Sequence, residues 1–388
     1  MAHIAYPQGM ACARRIQNSI DYLHKWGDFS IRVLILRKTR VPLRQQPLSG
    51  YHHGCPYTTI GTDVQPGAKL PWAAWKYYRD GCHFLDKHYR HEVRNIIYIY
   101  GYPDLDTLPL AVYAKRRGYR LCFDIVEDID VQEHAPDFLA RLKHWSAQAA
   151  FRRIGWWADM ILVITNHLRQ KTRRMVQNKI PVHLFPITVD LQKSTQQWTG
   201  FHRPVQVFYG GTFAEKDDLE NLIKAFDMVA TRHADLELVL TGRAANERLE
   251  QIQRAIDSAQ HRDRVFYRGY LDEQAFYATL NKCDIPCMVR TGSAFADRGF
   301  PFKLGEYLAT GKPVIASAVS DVRDFLRDRE NAMLVPPDSA EALAAAMEYL
   351  LGNEQHAVQI GRRGKQTAHQ HFNAAVQGER LRQLLMEL

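Results

Sequence analysis

The chain has no uninterrupted apolar stretch approaching the roughly 20 residues that a membrane-spanning helix requires, and its N-terminus lacks the apolar core of a signal peptide. A cytosolic location is the expectation. Cysteine is sparse: Cys12, Cys55, Cys82, Cys122, Cys283 and Cys287 are scattered without paired metal-ligand spacing. Free, mostly buried thiols in a reducing compartment are therefore expected, and no zinc site. Internal repeats and low-complexity tracts are absent. So are zinc-finger spacing, RNP-like aromatic motifs and a helix-turn-helix pattern, so nucleic acid is not an expected partner. Acid is scarce in one half only. Residues 1–190 carry 27 Lys and Arg against 16 Asp and Glu, or +11, and the remainder carries 24 against 26, or −2. A field of one sign attracts anionic partners such as a lipid-linked phosphate or an anionic membrane surface; a solvated basic face is the alternative.

What remains is 388 residues, 46% hydrophobic and 24% charged, the composition of a globular chain long enough for two domains. Residues 3–6 read as a short strand, turned at Gly9 into a helix over about 13–26, and strand, glycine turn and helix make an anion-facing opening. Either the natural start lies upstream of Met1 or this strand is only partly formed. Arg14 and Arg15 face either that opening or solvent. Residues 31–36 form a strand. Residues 40–71, dense in proline and glycine, read as a long loop or irregular insertion of the kind that carries recognition. His52, His53 and Cys55 within it lack further ligands for a metal. Residues 72–94 are aromatic and basic at partly helical spacing, suited to core packing or, as the minor alternative, to a membrane interface.

Strands at 96–100 and 120–126 enclose a helix at 108–117, an alternation that predicts a parallel sheet with crossover helices. Glu127 and Asp128 stand at the carboxyl end of the second strand, the edge at which open α/β sheets bind ligands. They either accept hydrogen bonds from ligand hydroxyls or cap the following segment. A helix at 138–157, a strand at 159–164, a helix at 166–177 and a strand at 182–186 follow. The polar residues 191–204, with Gly200 and Pro204, mark the domain boundary. Beyond it a strand at 205–209 enters a glycine turn, Gly210 and Gly211, that runs through Lys216 to a helix at 219–232. Strands at 236–242 and 265–269 end in glycine, which lets backbone approach a ligand closely.

A strand at 284–289 then runs into Arg290–Ser317, RTGSAFADRGFPFKLGEYLATGKPVIAS. Pro301 suits the first helical position. The helix runs over 302–310, stops at Gly311 and hands over to a strand at 313–317. The N–H groups of Phe302, Lys303 and Leu304, with the helix dipole, favour an anion such as a diphosphate. Glu306 lies a turn further in, placed for a hydroxyl-bearing group beside that anion. A strand at 332–335, an Ala-rich helix at 339–351 and one or two helices over 356–388 complete the chain.

The run Pro301-Phe-Lys-Leu-Gly-Glu-Tyr-Leu-Ala-Thr-Gly-Lys-Pro-Val-Ile-Ala316 resembles the nucleotide-sugar site of retaining GT-B-fold glycosyltransferases, the group 1 or family 4 enzymes. The resemblance is dense over about 205–336 and, over 1–190, extends to the order and kind of elements. It implies an α/β chain of two Rossmann-like doubly wound parallel-sheet domains facing across a cleft. Residues 1–195 would form the acceptor side and 196–388 the nucleotide-sugar side, with the final helix (about 370–388) crossing back to the first domain.

By this resemblance Glu306 binds the donor ribose and Lys216 grips the diphosphate. Gly9, Gly210, Gly211, Gly242, Arg243, Tyr270, Arg290, Phe302, Lys303 and Leu304 complete the donor site. Glu127 and Asp128 stand where the family commonly places a residue facing the sugar, often His; with Lys216 they are the catalytic candidates. Three positions depart from the pattern. Arg298 replaces the first Glu of a Glu-x7-Glu pair, with Asp297 one position away as a substitute. Gly211 replaces a diphosphate-binding Arg, which leaves Lys303 and Arg298 as the nearest replacement cations. Asp190 fits the family's Asn-Gly-Val-Asp turn, but Thr188 does not.

The activity implied is transfer of a sugar, with retention, from a UDP- or GDP-sugar to a glycan or lipid-linked acceptor in cell-surface polysaccharide or glycoconjugate synthesis. No cofactor and no metal are expected, and the basic half is expected to make peripheral contact with anionic membrane. The alternatives are a GT-B-like sugar-nucleotide epimerase or hydrolase, and a catalytically silent nucleotide-sugar-binding protein.

Overall fold

The computed structural model describes residues 1, 6–7, 11–36, 47–60, 70–105, 107–131, 138–194 and 197–388. The chain divides into two compact units: Met1–Pro186 with Gln377–Leu388, and Ile187–Val376. The division falls ahead of the polar 191–204 stretch because Ile187 and Val189 pack in the second unit. A Cβ on Gly305 would stand 2.6 Å from Val189 and 2.7 Å from Ile187, so glycine there makes room for both. Val189 also exchanges backbone hydrogen bonds with Phe372 and Ala374.

The first unit contains α1 (Ala11–Lys25), β1 (Val33–Leu36), β2 (Ser49–His52), β3 (Cys55–Ile60), α2 (Leu70–His88), β4 (Ile96–Tyr100), α3 (Leu108–Arg117), β5 (Arg120–Ile125), α4 (Phe138–Phe151), β6 (Met160–Val163), α5 (Asn166–Met175) and β7 (Val182–Leu184). Strands β4, β5, β6 and β7 pair in that order, all parallel. Leu121–Ile125 and all of β6 are buried, as strands covered on both faces must be. Helix α5 starts on Thr165, whose hydroxyl accepts the Leu168 N–H at 3.2 Å, and α3 ends on Gly118 at φ 102°. Leu381, Leu384 and Leu385 join Leu23, Cys122, Leu162 and Phe185 in one core cluster of this unit.

Three expectations for this unit change. Residues 49–60 form a hairpin rather than an irregular loop: β2 pairs antiparallel with β3, and β3 pairs parallel with β1. His53 (φ 47°) and Gly54 (φ 81°) supply the positive-φ pair of a two-residue turn. Pro56 is tolerated because β1 pairs only from Tyr57 onward, so the missing N–H breaks no ladder bond on that side. Helix α4 ends at Phe151, and Ile154–Trp156 turns as a short 3-10 helix; Gly155 and the tryptophans are poor α-helix formers. Arg15 faces neither opening nor solvent but is buried, donating to both Asp124 oxygens (2.8 and 3.0 Å) and to the Phe185 and Pro186 carbonyls. The strand expected at residues 3–6 and its turn at Gly9 lie outside the described residues.

The second unit contains β8 (Val205–Gly211), α6 (Leu219–Ala230), β9 (Leu236–Gly242), α7 (Asn246–Asp257), β10 (Val265–Tyr267), α8 (Glu273–Lys282), β11 (Ile285–Met288), α9 (Ala294–Asp297), α10 (Phe302–Ala309), β12 (Ile315–Ser317), α11 (Val322–Phe325), β13 (Met333–Val335), α12 (Ala340–Gly352) and α13 (Glu354–His371); the last helix, α14 (Ala374–Glu387), starts in it and belongs to the first unit from Gln377 onward. Its six strands form one parallel sheet in the order β10-β9-β8-β11-β12-β13. Val205, Val207, Tyr209, Leu238, Leu240, Ile285 and Cys287 form the core on one side of that sheet with Phe226 and Met347 from helices. Asp272 and Ser339 cap α8 and α12 through the N–H groups of Ala275 (2.8 Å) and Ala342 (3.1 Å). Strand β8 runs on through Gly210 and Gly211, where a turn was expected, because these pair with Thr241 and Gly242. The last stretch resolves into two helices, broken where Val189 bridges Asn373.

Candidate donor site

The carboxyl ends of β8, β9 and β11 and the start of α10 gather the sequence-selected residues of the second unit, the edge at which parallel sheets bind ligands. Gly242 holds φ 152°, and a Cβ there would fall 1.9 Å from the Gly211 carbonyl oxygen, so only glycine lets the two strand ends lie this close. The Gly242 N–H donates to the Gly269 carbonyl at 2.8 Å, tying in the loop that carries Tyr270. The Arg243 guanidinium stacks 4.8 Å from the Tyr270 ring, which is itself exposed. Gly210 is fixed by Tyr307, whose hydroxyl accepts from the Gly210 N–H (2.9 Å) and donates to its carbonyl (3.1 Å).

Pro301 is the residue ahead of α10 rather than its first helical residue, and the Leu304 N–H is taken by the Pro301 carbonyl at 3.1 Å. The anion-facing donors at this helix start are therefore those of Phe302 and Lys303, not of Leu304. Lys303 sends its side chain back along the site. The ammonium sits 4.0 Å over the Tyr209 ring, donates to the Tyr209 hydroxyl and reaches Asp217 Oδ1 at 3.2 Å. Arg290 approaches the same oxygen at 3.3 Å, and its backbone N–H donates to Ser317 Oγ at 2.9 Å. Lys216 is drawn in by its carbonyl, which accepts the Thr291 N–H at 3.0 Å. Glu306 accepts a hydrogen bond from the Tyr277 hydroxyl at 3.1 Å.

Burial pushes the Lys303 ammonium down to about 8; Asp217 opposes this, and Arg290 and Lys216 add to it. Burial alone would raise the Asp217 carboxyl, but Lys303 and Arg290 outweigh it and hold it below the usual range. These shifts mark Asp217 and Lys303 as an engaged pair beside a strand edge, the setting in which functional groups concentrate. Lys303, Arg290, Lys216 and Glu306 were singled out from the sequence; Asp217, Tyr209, Tyr277 and Tyr307, which the structure places among them, were not. Asp217, an acid directly after the matching lysine in a loop facing several cations, carries the only signal available. Arg298 follows α9 and is partly exposed. The side chain of Asp297 and all of Gly9 lie outside the described residues.

In the first unit the structure separates Glu127 from Asp128. Glu127 is exposed, while Asp128 is buried and engaged: Oδ1 accepts from Lys171 and from the Asp130 N–H (3.1 Å), and His167 Nε2 stands 3.2 Å from Oδ2. Burial pushes the Asp128 carboxyl up, but the Lys171 hydrogen bond, the Asp130 amide and His167 together bring it below its ordinary value. Of the two readings open for Asp128, capping of the Ile129–Val131 turn is the one its geometry describes. His167 and Lys171, on the first turns of α5, were not singled out from the sequence. Among the described residues no group of three or more His, Cys, Asp or Glu is arranged to hold a metal.

Two Rossmann-like α/β units with parallel sheets of this kind define the GT-B class of glycosyltransferases. Residues 192–367 match the family described as glycosyl transferases group 1. The chain is similar to the phosphatidyl-myo-inositol mannosyltransferase of Mycobacterium leprae, 29% identical over 170 residues, 43% of this chain and 43% of the relative. It is 25% identical over 252 residues to the GDP-mannose-dependent alpha-(1-6)-phosphatidylinositol monomannoside mannosyltransferase of Mycolicibacterium smegmatis, 62% of this chain and 65% of the relative. The matched stretches thus span less than two thirds of these curated relatives. The solved structure of Anabaena Alr3699/HepE in complex with UDP-glucose superposes with a TM-score of 0.72 at 16% identity, covering 100% of this chain and 98% of that one, a likeness of fold.

Proposed function

We propose that the chain is a retaining glycosyltransferase that takes a sugar from a UDP- or GDP-sugar and places it on a glycan or lipid-linked acceptor, in synthesis of a cell-surface polysaccharide or glycoconjugate. The observation that carries the reading is the convergence of Lys216, Lys303 and Arg290 on one loop edge with Glu306 on the adjoining helix turn. A nucleotide diphosphate is a strong, diffuse anion beside a ribose diol. The cations would neutralise the first and the Glu306 carboxylate would accept from the second. As the glycosidic bond breaks, negative charge grows on the leaving diphosphate, and cations held in place beforehand stabilise that charge without reorganising. On this reading protein cations do this work without a metal ion. The first unit, where Glu127 is exposed, would recognise the acceptor. The names of the relatives, which refer to GDP-mannose and phosphatidylinositol acceptors, support this donor and acceptor chemistry.

The test is incubation with UDP- and GDP-sugars and lipid-linked or glycan acceptors, with the product anomer read by NMR. Acceptor-dependent transfer with the donor's anomeric configuration kept is expected. Inversion would remove the retaining assignment. Sugar turnover without acceptor would favour an epimerase or hydrolase. Binding without turnover would favour the silent protein, a reading supported by glycine at position 211.

No helix of the described residues is long and apolar enough to cross a membrane. Peripheral contact with anionic lipid is supported instead by one face of the first unit. Trp145 is 65% and Trp156 73% exposed, with Leu142, Arg141, Arg152 and Arg153 also exposed. Arg153 joins the α4 end of that face to Trp156: it donates to the Ala149 carbonyl at 3.3 Å and lies 5.8 Å from the Trp156 ring. Tryptophan beside arginine suits the lipid headgroup layer. Each arginine near an anionic surface contributes about 1 kcal/mol. Arg152→Glu with Arg153→Glu is therefore expected to weaken co-sedimentation with phosphatidylglycerol vesicles by at least about tenfold. Unchanged sedimentation, or equal binding to neutral phosphatidylcholine vesicles, would contradict this contact.

A further inference from the structure

Resting on the donor-site reading above, we propose that Asp217 is a positioning residue: it holds Lys303 and Arg290 side by side and charged, so that Lys303 takes the place of the arginine missing at position 211. A Cβ on Gly211 would stand 2.7 Å from Lys303 Nζ and 3.0 Å from the Tyr209 hydroxyl. The lysine head therefore fills the space that a side chain at 211 would enter, and glycine is what leaves it room.

Asp217 is buried, and its Oδ1 faces Lys303 Nζ at 3.2 Å and Arg290 Nε at 3.3 Å, while Oδ2 accepts from the Ala214 N–H at 3.3 Å. The contact with Arg290 has the distance of an ion pair without the alignment of a hydrogen bond. Among the described residues Arg290 Nε is thus a buried donor with no acceptor, and a buried donor of this kind costs stability unless a ligand meets it. Two cations, Lys303 and Arg290, share the single carboxylate of Asp217. A sugar-nucleotide diphosphate carries the opposite charge.

The arrangement has a consequence in protons. The groups facing the Lys303 ammonium are Asp217, Arg290, Lys216 and the Tyr209 hydroxyl. Asp217 is the carboxylate among them. Burial brings Lys303 to about 8 even with that partner in place, so the lysine is protonated below that pH and loses its proton above it. Without Asp217 the remaining cations lower it further. A diphosphate arriving at about pH 7 would then restore the ammonium, taking a proton from the buffer onto Lys303 Nζ.

The experiment is calorimetric titration of the full chain with UDP, GDP and ADP in buffers of different ionisation enthalpy, which counts protons taken up on binding. For the wild type, uptake should be small at about pH 7 and rise as the pH passes about 8. Asp217→Asn should shift that rise down by at least about one pH unit and weaken binding about tenfold in the shifted range. Asp217→Glu should restore part of both. Lys303→Arg, which keeps its charge at all these pH values and leaves Asp217 untouched, should bind nucleotide with the uptake abolished. Asp217→Asn with wild-type affinity and proton uptake, or Lys303→Arg with uptake intact, would overturn the inference. A wild type that binds none of the nucleotides would instead overturn the donor-site reading, and this inference with it.

Discussion

Asp124→Asn is expected to destabilise the first unit by about 3–5 kcal/mol, the usual cost of removing one partner from a buried ion pair. Both side chains of the Arg15–Asp124 pair are fully buried. Burial alone would favour a neutral guanidine, but Asp124 outweighs it and keeps Arg15 charged. The guanidinium also stacks 4.5 Å from the Phe185 ring and donates to the carbonyls of Phe185 and Pro186. It therefore ties α1 to β5 and to the residues after β7. Tyr98 donates to the same carboxylate from β4. Asparagine would keep the shape but leave the positive charge without a counterion. At about 2–4 °C per kcal/mol for a unit of this size, the melting temperature of the variant should fall by about 10 °C. An apolar pair, Arg15→Met with Asp124→Leu, should recover part of the loss, since no charge is then left alone. A single variant as stable as the wild type would show that the pair is not the tie described.

Glu306→Ala is expected to abolish most nucleotide-dependent stabilisation while leaving the unliganded fold intact. Its side chain is partly exposed and accepts a hydrogen bond from the Tyr277 hydroxyl at 3.1 Å. Little packing is lost with it. A carboxylate accepting from ribose hydroxyls makes charge-assisted bonds of about 1.5–3 kcal/mol, so affinity should drop by roughly ten- to a hundredfold.

The second unit is the more legible half of this sequence. Its strands β8 and β9 are mostly apolar and end in glycine, and its helices carry Asp272 and Ser339 as caps. Even the order of elements around Arg290–Ser317 follows from local pattern, because proline, glycine and apolar period agree there. The β2–β3 hairpin is illegible for the opposite reason. Gly50, Gly54 and Pro56 read as loop residues, and only the pairing with β1, a partner distant in sequence, makes them strand and turn. Arg15 could not be placed from sequence, since what buries it is an aspartate on β5. In the site, the cations were visible as types at motif positions. Asp217, Tyr209 and Tyr307 act through contacts between strand ends and α10 that no local spacing encodes. The sequence offers Lys303 and Arg298 as replacement cations for the arginine absent at 211, and the 2.7 Å separation from a Gly211 Cβ position to Lys303 Nζ shows that Lys303 occupies that place.

The measurement that tests the donor site most directly is a thermal-shift series of the wild type and Glu306→Ala with UDP, GDP, ADP and their common sugar conjugates. A ligand at about 100 times its dissociation constant adds about 2.7 kcal/mol to the stability of the folded state. The account predicts a clear rise in melting temperature with the conjugates of one nucleotide, absent or strongly reduced in Glu306→Ala. No shift with any nucleotide, or an equal shift in the variant, would contradict a nucleotide-sugar site built on Glu306 and the Lys303 cluster.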